Sequence, residues 1–327
     1  MRPTLYPLRF SPILKPVLWG GEKICAFKGL PACGDNIGES WEISDVRGSE
    51  SQVSDGPLKG QTLQQIIETY QELFMGEKIY QRFGNQFPLL VKFIDAKQDL
   101  SIQVHPTDEL ARKRHQTNGK TEMWYVIEAQ RGAVIHTGFN YPYNRQDVER
   151  HLSEHRLPEL LNRETPEAND VFFLPAGRVH AIGAGTFLVE IQQNSDVTYR
   201  LWDYDRTDKD GRKRELHTEY ALDAIDYRPY SHYKTRYTLH RGERSHILDC
   251  PYFSSTLIDT DRIVPLDYQG LDSFIVWICL EGQASFTTQH KHKGLLSKGE
   301  TLLFPACDQP TAVIPDGNVK LLEVYIN

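Results

Sequence analysis

The apolar residues of this chain fall in short runs rich in β-branched and aromatic side chains. Leu89 to Ile94, Met123 to Ile127, Val171 to Leu174, Phe187 to Ile191, Phe274 to Leu280, Thr301 to Phe304 and Leu321 to Ile326 are the clearest. Each has the length of one strand. Between them the chain spends 23 Gly and 18 Pro, residues that break helices and place turns. The expected fold is mainly β with a few short helices. Two stretches keep helical spacing instead. Thr62 to Tyr80 opens with a Thr N-cap, and Gln146 to Asn162 runs into a Pro-containing loop.

A length of 327 residues suggests two domains, at roughly 150 residues each. An internal echo agrees. Asn169 to Gly177 (NDVFFLPAG) resembles Lys298 to Ala306 (KGETLLFPA): a polar turn, a strand, then Pro-Ala. Short antiparallel strands with such turns suit a jelly roll, which leaves a cavity at one mouth. We therefore expect two jelly-roll β-barrels, residues 1–235 with the helical insertions and residues 236–327. The second copy has no Gln-x-His pair, and Cys307 follows its Pro-Ala, so no metal site is expected there.

A net charge of −7 gives no bulk attraction to nucleic acid or to an anionic membrane. An anionic ligand would need a local basic pocket. No stretch approaches the roughly 18 apolar residues of a membrane span, and Met1 to Pro7 has no leader-type apolar segment. The five cysteines, Cys25, Cys33, Cys250, Cys279 and Cys307, are odd in number and contain no CxxC pair. They are expected to be scattered thiols in a reducing compartment, so the expected location is cytoplasmic.

Three stretches carry candidate chemistry. Strand residues two apart share a face. In Leu100 to Pro106 this puts Ser101, Gln103 and His105 on one side, with Ile102 and Val104 on the other. Alone, that polar face reads equally as a solvated edge. In Gly119 to Tyr125, Lys120 and Glu122 share a face at the start of an apolar run. Buried charges need partners or a metal, although a surface ion pair would look the same. In Pro175 to Ile182, a turn delivers His180 to an apolar strand, where a lone histidine is more often structural. Together, Gln103, His105, Glu122 and His180 make a two-histidine, one-carboxylate, one-amide set, in keeping with a catalytic zinc site that leaves a position open.

The same stretches resemble the type I mannose-6-phosphate isomerases (phosphomannose isomerases) in their shorter bacterial form. Leu14 to Gly21, Gly38 to Ser44, Phe87 to His105, Gly119 to Tyr125, Leu174 to Ile182 and Glu190 to Asp205 carry the similarity. The runs Ser101-Ile102-Gln103-Val104-His105-Pro106 and Lys120-Thr121-Glu122-Met123-Trp124 are its most specific parts. The resemblance implies a double cupin barrel and zinc held at Gln103, His105, Glu122 and His180. It also implies an essential arginine at Arg200, an acid at Glu190, and a basic phosphate contact at Arg206. Longer members read His-Ala-Tyr where this chain has His180-Ala181-Ile182, so one substrate contact is missing or supplied elsewhere.

The expected activity is interconversion of mannose 6-phosphate and fructose 6-phosphate through a cis-enediol. The metal and Arg200 would stabilise charge on the oxygen. Lys120, its pKa lowered by the metal, and Glu190 are rival bases. Ser101 and Arg206 are the phosphate candidates, and Trp19, Glu39 and Trp41 are placed at the mouth. The expected partner is a small sugar phosphate, with the protein a monomer or weak homodimer. Two other readings share the ligand set. One is an iron dioxygenase-like cupin, which needs neither Gln103 nor Lys120. The other is a non-catalytic sugar-phosphate-binding cupin, which needs no Lys120, Glu190 and Arg200 together.

Overall fold

A computed structural model describes residues 4–31, 33–208 and 210–327. Met1, Arg2 and Pro3 of the N-terminal stretch lie outside the described residues. In the first part of the chain, strands β1 (Ile13–Gly21), β2 (Ile37–Ile43), β3 (Asp45–Val46), β4 (Ser49–Glu50), β5 (Leu89–Ala96), β6 (Ile102–Val104) and β7 (Glu122–Ala129) come first. Then follow β8 (Ile135–Phe139), β9 (Leu161–Glu164), β10 (Val171–Leu174), β11 (His180–Ile182), β12 (Thr186–Gln193), β13 (Tyr199–Trp202) and β14 (Lys234–Thr235). The remainder holds β15 (Arg244–Asp249), β16 (Ser254–Thr260), β17 (Val264–Pro265), β18 (Ile275–Glu281) and β19 (Gln283–Thr288). It ends with β20 (Lys293–Ser297), β21 (Thr301–Phe304), β22 (Pro310–Pro315) and β23 (Val319–Tyr325). The helices are short: α1 (Lys23–Phe27), α2 (Leu63–Tyr70), α3 (Glu72–Met75), α4 (Glu77–Phe83), α5 (Asp108–His115), α6 (Arg145–Ser153) and α7 (Thr218–Ala224).

The helix expected over Thr62 to Tyr80 is three helices. Thr62 does cap α2, in a reciprocal box with Gln65. Leu63, Ile66, Ile67 and Tyr70 then bury one stripe. The path breaks at Gln71, in a left-handed conformation (φ 46°), and again at Gly76 (φ 94°). A Cβ on Gly76 would lie 2.3 Å from the Asp272 carbonyl oxygen. Asp272 in turn accepts from the free backbone N–H groups of Glu77 and Lys78, at 2.9 and 2.8 Å, at the start of α4. The second expected helix likewise stops early. Asn144 and Asp147 box the start of α6, His155 adopts φ 58°, and only a 3-10 turn, Leu157–Leu160, follows.

Two pairs of sheets carry the fold. The first pair is a seven-stranded sheet, β1-β2-β5-β12-β7-β10-β14, facing a five-stranded one, β13-β6-β11-β8-β9. The second is β15-β16-β23-β18-β21 facing β17-β22-β19-β20. Among the described residues the facing sheets do not join by strand pairing into a closed barrel. The order β2-β5-β12-β7-β10 repeats strand for strand as β15-β16-β23-β18-β21, and β6-β11-β8-β9 repeats as β17-β22-β19-β20. The sequence echo lies in equivalent strands. Val171 to Leu174 is β10 and Thr301 to Phe304 is β21, each followed by Pro-Ala.

Period-two alternation sorts the side chains into layers. Trp19, Ile94, Trp124, Phe172 and Leu188 face Ile135 and Ile182 inside the first sheet pair. Trp277, Leu302 and Leu321 face Phe286, Leu296 and Val313 inside the second. The outer faces meet each other: Val91, Phe93, Met123 and Val189 pack with Val276, Ile278, Leu322 and Val324, and α2 to α4 close the edge. Each such side chain contributes about 1.5–3 kcal/mol of transfer free energy, so the two sheet pairs are held together by a full core. The N-terminal segment also crosses over: Leu8 exchanges both backbone hydrogen bonds with Leu303, at 2.8 and 2.9 Å. Ile102, Val104, Tyr199 and Leu201 face outward under α6 and α7, which turns Gln103 inward.

One expectation is corrected here. Cys25 and Cys33 form a disulfide, with Cα atoms 6.3 Å apart. The loop from α1 towards β2 folds back to make that approach, a proximity that neither the odd count nor the irregular spacing signals. Cys250, Cys279 and Cys307 are free thiols.

Candidate metal centre and cavity

The centre lies between the two sheets of the first pair. His180 opens β11 and stands opposite Gln103 of β6. His105 follows the end of β6, and Glu122 opens β7 in the facing sheet. His105, Glu122 and His180 are buried, with ligand atoms all within 4.8 Å of one another. Nε2 of His105 is 3.3 Å from Glu122 Oε2, and Nε2 of His180 is 3.3 Å from Glu122 Oε1. Both rings place Nδ1 against backbone carbonyls, of Val197 at 3.0 Å and Arg178 at 2.8 Å. Those carbonyls accept a hydrogen bond from Nδ1–H, so the lone pair sits on Nε2 and points to the centre. Burial, reinforced by the Lys120 charge, lowers the His105 pKa to about 3. Burial also lowers that of His180. Both rings are therefore neutral, as ligands must be.

Glu122 stays ionised. Burial opposes its charge, but the Lys120 ammonium beside it holds its carboxyl well below the usual range. Its Oε1 is buried without a hydrogen-bond partner, although burying an unsatisfied carboxylate oxygen is costly. That orphaned oxygen and the converging lone pairs fit a divalent cation with N and O ligands. The Gln103 carboxamide sits beside them, Nε2 at 3.4 Å from His180 Nε2 and Oε1 at 3.3 Å from Ser101 Oγ. Exchanging its oxygen and nitrogen would present a fourth ligand.

Around this group are the acid–base candidates. Lys120 Nζ is 2.6 Å from Glu122 Oε2, 3.0 Å from His105 Nε2 and 3.9 Å from Glu190 Oε1. Glu190, on β12, accepts from the Trp124 indole at 3.0 Å. Burial raises its pKa, and Lys120 and Lys92 pull against that rise. Arg200, on β13, stands opposite Gln103 in register. Its Nε donates to Ser101 Oγ at 3.3 Å and Nη1 to the Glu215 carbonyl at 2.8 Å.

One cavity brings together Trp19, Glu39, Ser101, Gln103, Lys120, His180, Glu190 and Arg200. A larger cleft of about 700 Å³ lies elsewhere, beside Asp45, Arg112 and His115, and the metal group is not on its wall. Trp41 lies behind Glu39, donating its indole N–H at 2.6 Å. Arg206 is turned from the cavity onto Asp203 and the Asp99 carbonyl.

Two charged lining residues escaped the sequence reading. Lys92 is buried 3.2 Å from Glu190 and 3.6 Å from Glu39. Burial opposes its charge, but Glu39 and Glu190 more than compensate and raise its pKa. A lysine inside the apolar run Leu89 to Ile94 was a legible signal. Arg214 was not legible, since it stands in a mixed-charge run, Asp208 to Glu215.

Comparison with known proteins gives consistent results. The family "Phosphomannose isomerase type I, catalytic domain" matches residues 8–133. Mannose-6-phosphate isomerase ManA of Bacillus subtilis is 38% identical over 308 residues, 92% of this chain and 94% of that protein. Mannose-6-phosphate isomerase of Streptococcus mutans is 32% identical over 322 residues, 98% of each. The crystal structure of the Bacillus subtilis mannose 6-phosphate isomerase superposes with a TM-score of 0.87 at 31% identity, covering 98% of this chain and 99% of that one. The apo form of the Salmonella typhimurium enzyme, at 17% identity and a TM-score of 0.78, shares the fold.

Proposed function

The chain belongs to the type I phosphomannose isomerase family, and from that premise we propose that it interconverts D-mannose 6-phosphate and D-fructose 6-phosphate. The observation that carries the reading is the buried His105–Glu122–His180 group, whose His180 lines one cavity with Lys120, Glu190 and Arg200. An aldose–ketose isomerase must move a proton between C1 and C2 and stabilise charge on the neighbouring oxygen.

Zinc is the ion we assign, held by Gln103, His105, Glu122 and His180. When bound it supplies Lewis-acid polarisation of the sugar oxygens. The protein's own groups do the rest. Lys120 or Glu190 carries the proton on one face of a cis-enediol. Their separation of 3.9 Å lets one charge tune the other. Arg200 offers its guanidinium to the developing oxyanion. Ser101 and the arginine side of the cavity take the phosphate, while Trp19 and Glu39, backed by Trp41, form the mouth.

We read the two sheet pairs as jelly rolls, with catalysis in residues 1–235 and a non-catalytic copy in 236–327. Among the described residues no helix is long and apolar enough to cross a membrane. We place the enzyme in the cytoplasm, acting as a monomer or weak homodimer. A coupled assay for fructose 6-phosphate formed from mannose 6-phosphate, with and without chelator, tests the reading. No product from metal-replete protein would overturn it.

A further inference from the structure

The charged loop after β13 carries three arginines and one buried carboxylate. Asp203 is 4% exposed and serves two of them. Arg206 reaches its Oδ1 through Nη2. Arg214 grips both oxygens in a fork, Nε to Oδ2 at 2.7 Å and Nη2 to Oδ1. The two guanidiniums differ in what they leave over. Arg206 also donates through Nη1 to the Asp99 carbonyl and through Nε to the Asp203 carbonyl, so every nitrogen of its guanidinium is engaged. Arg214 keeps Nη1 without a partner among the described residues. It lies on the wall of the catalytic cavity beside Ser101, Thr198 and Arg200, a wall that Arg206 does not reach.

Charge points the same way. Arg200 is half-buried, and after burial itself the Arg214 charge is the strongest influence disfavouring its ionised form, ahead of that of Arg206. Asp203 and Glu215 counter it only in part. Two guanidiniums, of Arg200 and Arg214, thus share the cavity wall, with one buried carboxylate, Asp203, held between Arg214 and Arg206. A dianionic group seated there would be favoured by charge and by fork geometry.

We propose that Arg214, and not Arg206, contacts the phosphate of the substrate with Ser101, while Arg206 braces Asp203 and so aims Arg214. The assignment rests on the sugar-phosphate reading above and departs from the family resemblance, which places the basic phosphate contact at Arg206.

The test uses the metal-replete full chain. KM and kcat for mannose 6-phosphate, and inhibition by inorganic phosphate, are measured for wild type, Arg214→Ala, Arg214→Lys and Arg206→Ala. Losing a charged hydrogen bond should raise KM and the phosphate inhibition constant for Arg214→Ala by on the order of 10- to 100-fold. The change in kcat should be smaller, and Arg214→Lys should recover part of the loss. The Lys variant retains a cation beside Asp203, so it remains informative if the Ala variant folds poorly. Arg206→Ala should lose less than Arg214→Ala on both constants. Wild-type constants in Arg214→Ala, or a larger loss in Arg206→Ala, would overturn the assignment. A wild-type protein without isomerase activity would instead defeat the broader reading.

Discussion

Glu190 and Glu323 occupy the same position in the two halves of the chain. Each lies directly opposite a tryptophan across one strand pair, Glu190 from Trp124 and Glu323 from Trp277. Each accepts that indole N–H, at 3.0 and 2.9 Å. Their surroundings then diverge. Glu190 faces the cavity. Glu323 is sealed in by Arg244, which donates from Nε at 3.0 Å, and by the Tyr268 hydroxyl. By the same register Ile275 stands where Glu122 does, since Phe304 and Leu174 are their partners ahead of Pro-Ala. Pro310 opens β22 as His180 opens β11. The second half has kept the fold's polar anchor and replaced the chemistry around it.

Removing Arg244 should therefore cost stability and not turnover. Arg244→Ala leaves the fully buried Glu323 carboxylate without its cation. Breaking a buried pair costs about 3–5 kcal/mol. A urea midpoint well below wild type, with kcat per folded molecule unchanged, is the expected result. An unchanged midpoint would remove Glu323 as a structural charge.

Chelation should abolish turnover, and zinc should restore it, because the buried Glu122 Oε1 has no hydrogen-bond donor. Metal analysis after exhaustive dialysis, paired with the coupled assay, decides this. Full activity in metal-free protein would end the metal assignment.

Lys120→Ala should keep its metal and lose activity by about 10²–10⁴-fold, the usual share of an acid–base group. A near wild-type rate would move the proton transfer to Glu190. The pH profile separates the two further. A carboxylate base works when ionised, and burial raises the Glu190 pKa, so activity falls as pH drops through that raised value. Lys92 opposes the rise. Lys92→Met should then shift the acid limb of kcat/KM to higher pH if Glu190 is the base. If Lys120 alone is the base, the limb should stay.

Arg200→Lys should lower kcat far more than it raises KM, with metal content unchanged. Lysine keeps the charge but loses the planar fork, and a contact that tightens in the transition state acts on kcat. A steep rise in KM at constant kcat would make Arg200 a ground-state anchor.

The sequence by itself determined seven apolar strands, the shared faces of Gln103 with His105 and of Lys120 with Glu122, and the repeat marked by Pro175-Ala176 and Pro305-Ala306. These are local properties. Alternation and turn chemistry act over a few residues, so they survive in a linear string. Lys92 was equally local, as a lysine in an apolar strand, and went unread. The tertiary structure alone decided the rest. It broke the long helix at Gln71 and Gly76, where Asp272, distant in sequence, fills the space a side chain would need. It closed Cys25 on Cys33. It turned Arg206 away from the cavity and Arg214 toward it. In a loop of mixed charge, periodicity fixes no face. Which guanidinium meets a ligand depends on where a buried carboxylate such as Asp203 sits to hold the others, and that is a fact of three-dimensional packing.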